Sequence, residues 1–414
     1  MPRPYATILS TPGLIPRLLA VLMSAMPLGM LSLAIVLSVR EWTGSFGAAG
    51  VISGLFSGGN ALGLALQGAA IDRFGARRTI VTSGLLCTAM LFCLLLSGQL
   101  GAPLALTALA AASSGVTIPA VTAAVRAWLG RALSGEVLQG AAYALLAALF
   151  QAGVTIGPAA VSLALIVHEP SLAISAAGLL VLAATVLLAR ADDGVPPPRR
   201  RRPRRRGAQG ALRGRGFLTL MVLTFLHGAA LGVTVLAISA LATETSRPVL
   251  AGIALTVLAI GEVSGALVYG AVAWPGSRRS RLPAVQAMAV LAALGVFLST
   301  GQPALLLAAM FVAGALAAPV AVLTSSLLDV VVPEGAVGRA YTVIVASGLV
   351  ATALGNAGAG QLVGAVGARG LLLVPALSIA AAATWTLARR GTLRRLSPPV
   401  SEAAAAADDT GGRA

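Results

Sequence analysis

Twelve stretches of roughly 20 apolar residues decide what this chain of 414 residues can fold into. At 1.5 Å per residue, a helix needs about that many to cross the ~30 Å hydrocarbon core of a bilayer. The stretches fall at 18–39, 47–70, 79–98, 103–125, 138–163, 171–189, 217–240, 249–273, 284–300, 303–327, 339–364 and 370–388. Only 10% of the residues are charged and 57% are hydrophobic, whereas soluble domains carry about 25% and roughly 45–50%. Too little polar sequence exists to coat these segments in water, which excludes an ordinary soluble enzyme, a disordered chain and a disulfide-built secreted module. The first stretch is too long for a signal-peptide core and no small-residue cleavage site closely follows it, so it counts as a span. Cys87 and Cys93 share one apolar run; they offer neither a disulfide framework nor zinc spacing. The fold class is an all-α integral membrane protein.

All 29 basic residues are arginine, against 13 acids, for a net charge of +16. Such an excess suits nucleic acid or a membrane surface, and position decides between them. With the N-terminus in the cytoplasm, 26 of the 29 arginines fall inside, and the outer loops keep only Arg40, Arg247 and Arg369. That is the asymmetry of the positive-inside rule, and one missed span would scramble it. Twelve spans with both termini cytoplasmic therefore follow. Trp42, Trp128, Trp274 and Trp385 lie near span ends, where indoles favour the interface. The long connection from Arg190 to Gly216 holds Arg199 to Arg202 and Arg204 to Arg206 behind three prolines. Beside a span it sets topology and touches anionic lipid headgroups; it is a flexible tether and no nucleic-acid partner is expected.

Shifting the first half by about 200 residues brings matches onto the same ordinal spans. Gly59-Asn60-x-x-Gly63 and Gly68-Ala69 of span 2 align with Gly261-Glu262-x-x-Gly265 and Gly270-Ala271 of span 8 at an offset of 202. Pro119 of span 4 aligns with Pro319 of span 10. Gly140, Ala142-Tyr143, Ala148 and Gly157 of span 5 align with Gly338, Ala340-Tyr341, Ala346 and Gly355 of span 11 at 198. The organisation is a six-span half (1–190), a cytoplasmic Arg-rich linker (191–216), a second six-span half (217–390) and a disordered cytoplasmic tail (391–414). Because each half crosses an even number of times, the repeats are parallel, related by an axis along the membrane normal.

Between spans 2 and 3 the chain reads Gly68-Ala69-Ala70-Ile71-Asp72-Arg73-Phe74-Gly75-Ala76-Arg77-Arg78. This resembles the loop Gly-x-x-x-Asp-Arg-x-Gly-x-Arg-Arg of the major facilitator superfamily. Gly68 and Gly75 suit a tight turn, and Asp72 can cap a helix and pair with arginine. The resemblance implies that Asp72 helps lock the cytoplasmic side of the two halves. The matching loop after span 8 has Trp274 where an acid would stand. Gly153-x-x-x-Gly157-Pro158 in span 5 resembles the Gly-Pro element of facilitator antiporters that export drugs, although Val161-Ser162 stand where that element has a glycine pair. Small residues let helices approach closely, and proline frees a carbonyl and bends the helix. The helix-4 arginine of many proton-coupled exporters is missing, since Arg126 lies at the cytoplasmic end.

An ionisable residue at bilayer depth costs about 2.5–3.5 kcal/mol on insertion scales unless it meets water or a partner. Glu262 lies beside the middle of span 8, and His227 close to the middle of span 7. Burial disfavours the charged form of either group, which suits proton uptake and release. Glu262 is the expected carrier of the coupling proton, and His227 its relay or a substrate ligand. Asn60, Gln67, Ser114, Gln151, Asn356 and Gln361 supply uncharged polar groups to the expected cavity. Met26 shares a face of span 1 with Met23 and Met30 as an adaptable apolar wall. With few charges to grip a solute, the substrate is expected to be small, fairly apolar, and uncharged or cationic.

Rival classes lack their residues. His168-Glu169-Pro170 has no second histidine at zinc-protease spacing, and without lysine no phosphate loop can form. The reading is a monomeric secondary transporter of a bacterial plasma membrane that exports a drug or secondary metabolite by proton antiport. It needs no metal or cofactor beyond the proton gradient. An importer or uniporter is the alternative, and a membrane sensor or assembly factor fits less well.

Overall fold

The computed structural model describes residues 10–133, 136–167, 169–191, 214–272, 274–333 and 336–393, without the side chains of Asp72, Glu136, Val137 and Gly338. His168, most of the Arg-rich linker and nearly all of the tail, with the headgroup contact and the disorder expected of them, lie outside the described residues. So does the side chain of Asp72.

Among the described residues there are thirteen α-helices and no strand. In order they are α1 (Leu14–Thr43), α2 (Phe46–Phe74), α3 (Ala76–Gln99), α4 (Leu104–Thr117), α5 (Val121–Ala132), α6 (Glu136–Ile166) and α7 (Ser171–Arg190). Then come α8 (Arg215–Glu244), α9 (Val249–Ala271), α10 (Arg278–Leu298), α11 (Pro303–Val331), α12 (Val337–Leu371) and α13 (Leu373–Arg389). Counting α4 and α5 as one broken span, eleven segments are long and apolar enough to cross a membrane. The twelfth, α13, has 17 residues, at the short end of what a bilayer requires. Turn chemistry sets the ends. Gly44 takes the left-handed conformation (φ 70°) that closes α1, and the Ser45 hydroxyl accepts the Ala48 N–H to open α2.

The bundle has two ends. Leu14, Arg190 and Arg389 mark its terminal face; the turn at Gly44 marks the far face. Near the far face a single apolar core draws on both halves, including Leu33 and Ile35 of α1, Ile52 of α2, Val161 of α6, Leu236 of α8 and Ala254 of α9. Toward the terminal face the core divides. Leu18, Val21, Ile80, Trp128 and Leu146 pack within the first half, while Phe217, Leu220, Leu282, Leu323 and Ile344 pack within the second. The two clusters share no residue.

In lipid, helices gain from close backbone approach rather than from leaving water, so glycine positions fix the packing. Gly59 and Gly63 of α2 rest on the Ala112 and Val116 carbonyls of span 4, and Gly115 rests on the Phe56 carbonyl. The second half repeats this set on α9 and α11: Gly261 on Phe311, Gly265 on Ala315 and Gly314 on Leu258. A Cβ at any of the six would enter a carbonyl. Likewise Gly29 of α1 rests on the Val154 carbonyl of α6, and Gly232 of α8 on the Thr352 carbonyl of α12. The halves meet through matched contacts near the far face. Gly50 of α2 abuts the Asn356 carbonyl and Gly360 of α12, and Gly252 of α9 abuts the Pro158 carbonyl and Ser162 of α6.

Candidate functional site

Glu262 is half-buried on α9. Ile253, Ile260 and Leu267 form the exposed apolar stripe of that helix, at 39%, 45% and 69% exposure. With 3.6 residues per turn, Glu262 lies on roughly the opposite side, away from lipid. No described residue gives its carboxylate a hydrogen bond or ion pair. Its counterpart Asn60 is 8% exposed and lies opposite the lipid-exposed Val51, Leu55 and Leu62 of α2. The backbone at both positions is tied to a glycine of the neighbouring span, Gly115 beside Asn60 and Gly314 beside Glu262.

His227 is on α8 next to Gly228, which rests on the Gly348 carbonyl of α12. Its Nδ1 lies 3.0 Å from the Leu223 carbonyl. A carbonyl only accepts, so Nδ1 is the donor, and in the neutral ring Nε2 is the acceptor. That Nε2 is buried and has no partner among the described residues. The helix around it is braced: Thr352 donates to the Gly228 carbonyl at 3.0 Å and Ser378 to the Leu226 carbonyl at 2.8 Å. Asn356, farther along the same seam, is fully buried, and both its amide atoms lack a partner among the described residues. Leaving such groups unpaired costs on the order of 1–3 kcal/mol each. No hydrogen bond or ion pair joins His227 to Glu262, so the two do not form a direct relay here.

Several residues expected in the cavity are engaged elsewhere. Gln67 donates to the carbonyls of Val116 (3.2 Å) and Ile118 (2.6 Å) and accepts the Ala120 N–H (2.9 Å). It closes the gap between α4 and α5 and has no donor left for a ligand. Ser114 is fully buried and donates to its own helix at Ala111 (2.8 Å). Gln361 is exposed at the far face, where its amide reaches the Gly47 carbonyl across the seam between halves at 3.3 Å. Gln151 is half-buried on α6 and has no described partner. Met26 packs partly buried against the shared core, with its backbone beside Gly153 and Gly157.

The loop motif makes its turn at Gly75 alone, with φ 88°; Gly68 lies inside α2 with nothing within 4 Å of a Cβ placed there. Arg77 donates to the Ala189 carbonyl at 2.5 Å, a cation at the C-terminus of α7 where the helix dipole favours one. Arg73 lies over the Phe74 ring at 5.1 Å, and Arg78 is exposed. In the second half, Trp274 stacks on Tyr269 at 5.4 Å, and Arg281 lies 5.9 Å from the Tyr269 ring. Gly153 and Gly157 rest on the backbone of α1, and Pro158 leaves without an intrahelical donor the Val154 carbonyl that Gly29 covers.

Sequence reasoning passes over Gln286, which is fully buried on α10, with both amide atoms lacking a partner among the described residues. Its place at the very start of span 9 reads as headgroup level; α10 actually begins at Arg278, so Gln286 lies two turns inside. No group of three His, Cys, Asp or Glu side chains among the described residues could hold a metal ion.

Residues 17–223, half of the chain, match the family model described as Major Facilitator Superfamily. Among solved structures, the nucleoside transporter NupG superposes with a TM-score of 0.71 at 13% identity, covering 90% of this chain and 99% of that one. The POT family transporter PepTSo gives 0.70 at 13% identity over 92% and 98%. A bacterial homolog of the human lysosomal transporter Spinster, in an inward-facing and unoccupied conformation, gives 0.68 at 14% over 93% and 98%. At these identities the likeness is one of fold. A search of curated proteins returned no significant match.

Proposed function

This chain belongs to the major facilitator superfamily, and from that premise we propose that it exports a small, fairly apolar organic molecule in exchange for protons. It is a multi-pass membrane transporter and not an enzyme. One observation carries the antiport reading: Glu262, the only acid beside a span centre, turns away from lipid and has no partner among the described residues. A carboxyl so placed can bind a proton when its surroundings open to one side and give it up when they open to the other. His227, with Nδ1 committed to Leu223, offers Nε2 as an acceptor for a substrate N–H or O–H and is not required as a relay. The arginine distribution supports placing the terminal face in the cytoplasm. The fused far face then closes the outside, and the halves part toward the inside.

The test uses proteoliposomes with an imposed pH gradient and a panel of apolar and cationic fluorescent dyes. The wild type is expected to move at least one dye uphill with counterflow of protons, and Glu262→Gln to abolish both while retaining downhill exchange. Uphill movement by Glu262→Gln at the wild-type rate sinks proton antiport through this residue. Dye movement insensitive to the gradient in the wild type identifies a uniporter.

A further inference from the structure

Span 4 and span 10 occupy equivalent places in the two halves, and both contain a proline, Pro119 and Pro319. They answer it differently. In span 10 the helix α11 runs unbroken from Pro303 to Val331 through Pro319. In span 4 the helix stops: α4 ends at Thr117, Ile118 extends (ψ 119°), Ala120 has ψ 54°, and α5 begins at Val121. Proline disfavours helix in the residue before it, which explains the extension at Ile118. A break in hydrocarbon is tolerable only where its backbone groups find partners inside the protein. Gln67 supplies them, with two donated bonds and one accepted, and it is 6% exposed. At an offset of 202, its position in the second half is held by Tyr269, whose buried hydroxyl has no partner among the described residues and whose ring stacks on Trp274. Gln67 also directly precedes Gly68, where the loop motif begins.

We propose that Gln67 is a positioning residue for transport: it pins a hinge in span 4, about which α5 turns relative to α4 as the terminal face closes, while span 10 moves as one rod. The two halves then contribute unequally to the cycle. Glutamine suits the task because only a side chain with two donors and an acceptor serves all three groups. Asparagine is one methylene too short to reach them, and glutamate keeps the acceptor and loses the donors. The inference rests on the alternating-access reading but not on protons or on the direction of transport, and its readouts need no substrate.

The experiment uses the full chain in phosphatidylethanolamine–phosphatidylglycerol nanodiscs. Spin labels at Leu104 and Arg131 report α4 against α5, and labels at Leu305 and Asp329 report the length of α11. In the wild type the first pair is expected to show a broad or two-peaked distance distribution and the second a single narrow one. Gln67→Met is expected to speed hydrogen exchange at Ala120 by about tenfold and to smear the first distribution, leaving the second unchanged. Pro119→Ala lets span 4 run continuously; in that background Gln67→Met should leave exchange slow and give one narrow distance. Should Gln67→Met fail to fold, the Pro119→Ala/Gln67→Met protein and Gln67→Glu, with its intermediate exchange rate, carry the comparison. Equal distance widths in the two halves, or exchange unaffected by Gln67→Met and by Gln67→Glu, overturn the hinge. Failure of proton antiport in the dye assay would leave these results standing.

Discussion

On α2, Gly50 lies against the opposite half and Gly68 faces open space; on α9, Gly252 and Gly270 divide in the same way. Each pair is 18 residues apart, which at 3.6 residues per turn is five full turns, so both members face the same way about 27 Å apart. Gly140 bears the same relation to Pro158 on α6, and it too faces open space. The far face and the terminal face are thus built with similar surfaces on the same helix sides, one set engaged and one set vacant. The core agrees, being shared near the far face and divided near the terminal face. What separates the ends is whether the two halves meet there. Within each half the glycine seams of α2 on α4 and α9 on α11 have no vacant members, so these helix pairs hold together.

The comparison can be broken most severely at its engaged end. Gly252→Leu drives a side chain into the Pro158 carbonyl and Ser162; overpacking of this kind costs about 1–3 kcal/mol or more. The far face should then stay open, seen as faster labelling of cysteines placed beside Ser162 in right-side-out vesicles and as lost dye transport. Labelling unchanged from wild type would mean that this seam does not seal the far face. Next in size, Gly59→Ala should lower the unfolding temperature through its clash with the Ala112 carbonyl, a loss of about 1–3 kcal/mol. Gly68→Ala meets no atom in this state. It should raise that temperature slightly, by about 0.4–1 kcal/mol of stability, while slowing turnover, because the added methyl stands in the seam that forms when the terminal face closes. A faster Gly68→Ala transporter would argue that the vacant glycines never engage. The smallest effect belongs to Arg77→Ala, which removes one exposed bond to the Ala189 carbonyl and should cost no more than about 1 kcal/mol by thermal unfolding.

Depth, periodicity and repetition were legible in the residues. The twelve apolar runs fall on the observed helices, and the glycines that align between spans 2 and 8 make the same backbone contacts in both halves. Glu262 and Asn60 stand out in the sequence because a polar group deep in a span has few alternatives. Gln67, Ser114 and Gln361, expected in the cavity by the same rule, take partners within the protein. Depth says that a polar side chain needs a partner and not which one. Gln67 takes its partners from a helix break whose extent is decided by local geometry at Ile118 and Ala120. Span 10 shows that a proline at the same place need not break the helix at all. Gln361 differs for a simpler reason: it stands three residues before the end of the 339–364 run, far from its middle, and so lies at the far face beside Gly47.

The Gly153, Gly157 and Pro158 element resembles a signature of drug exporters, yet its atoms lie against α1 and, through the Pro158 carbonyl, against Gly252 of the other half. Residues at such backbone contacts do not choose a cargo. A descendant of this gene could exchange its cavity residues one by one, acquire a new substrate and leave the element untouched, because the constraint on it comes from how the helices meet. Shared possession of the element therefore groups transporters by the motion they inherited, and two chains that carry it need have no solute in common.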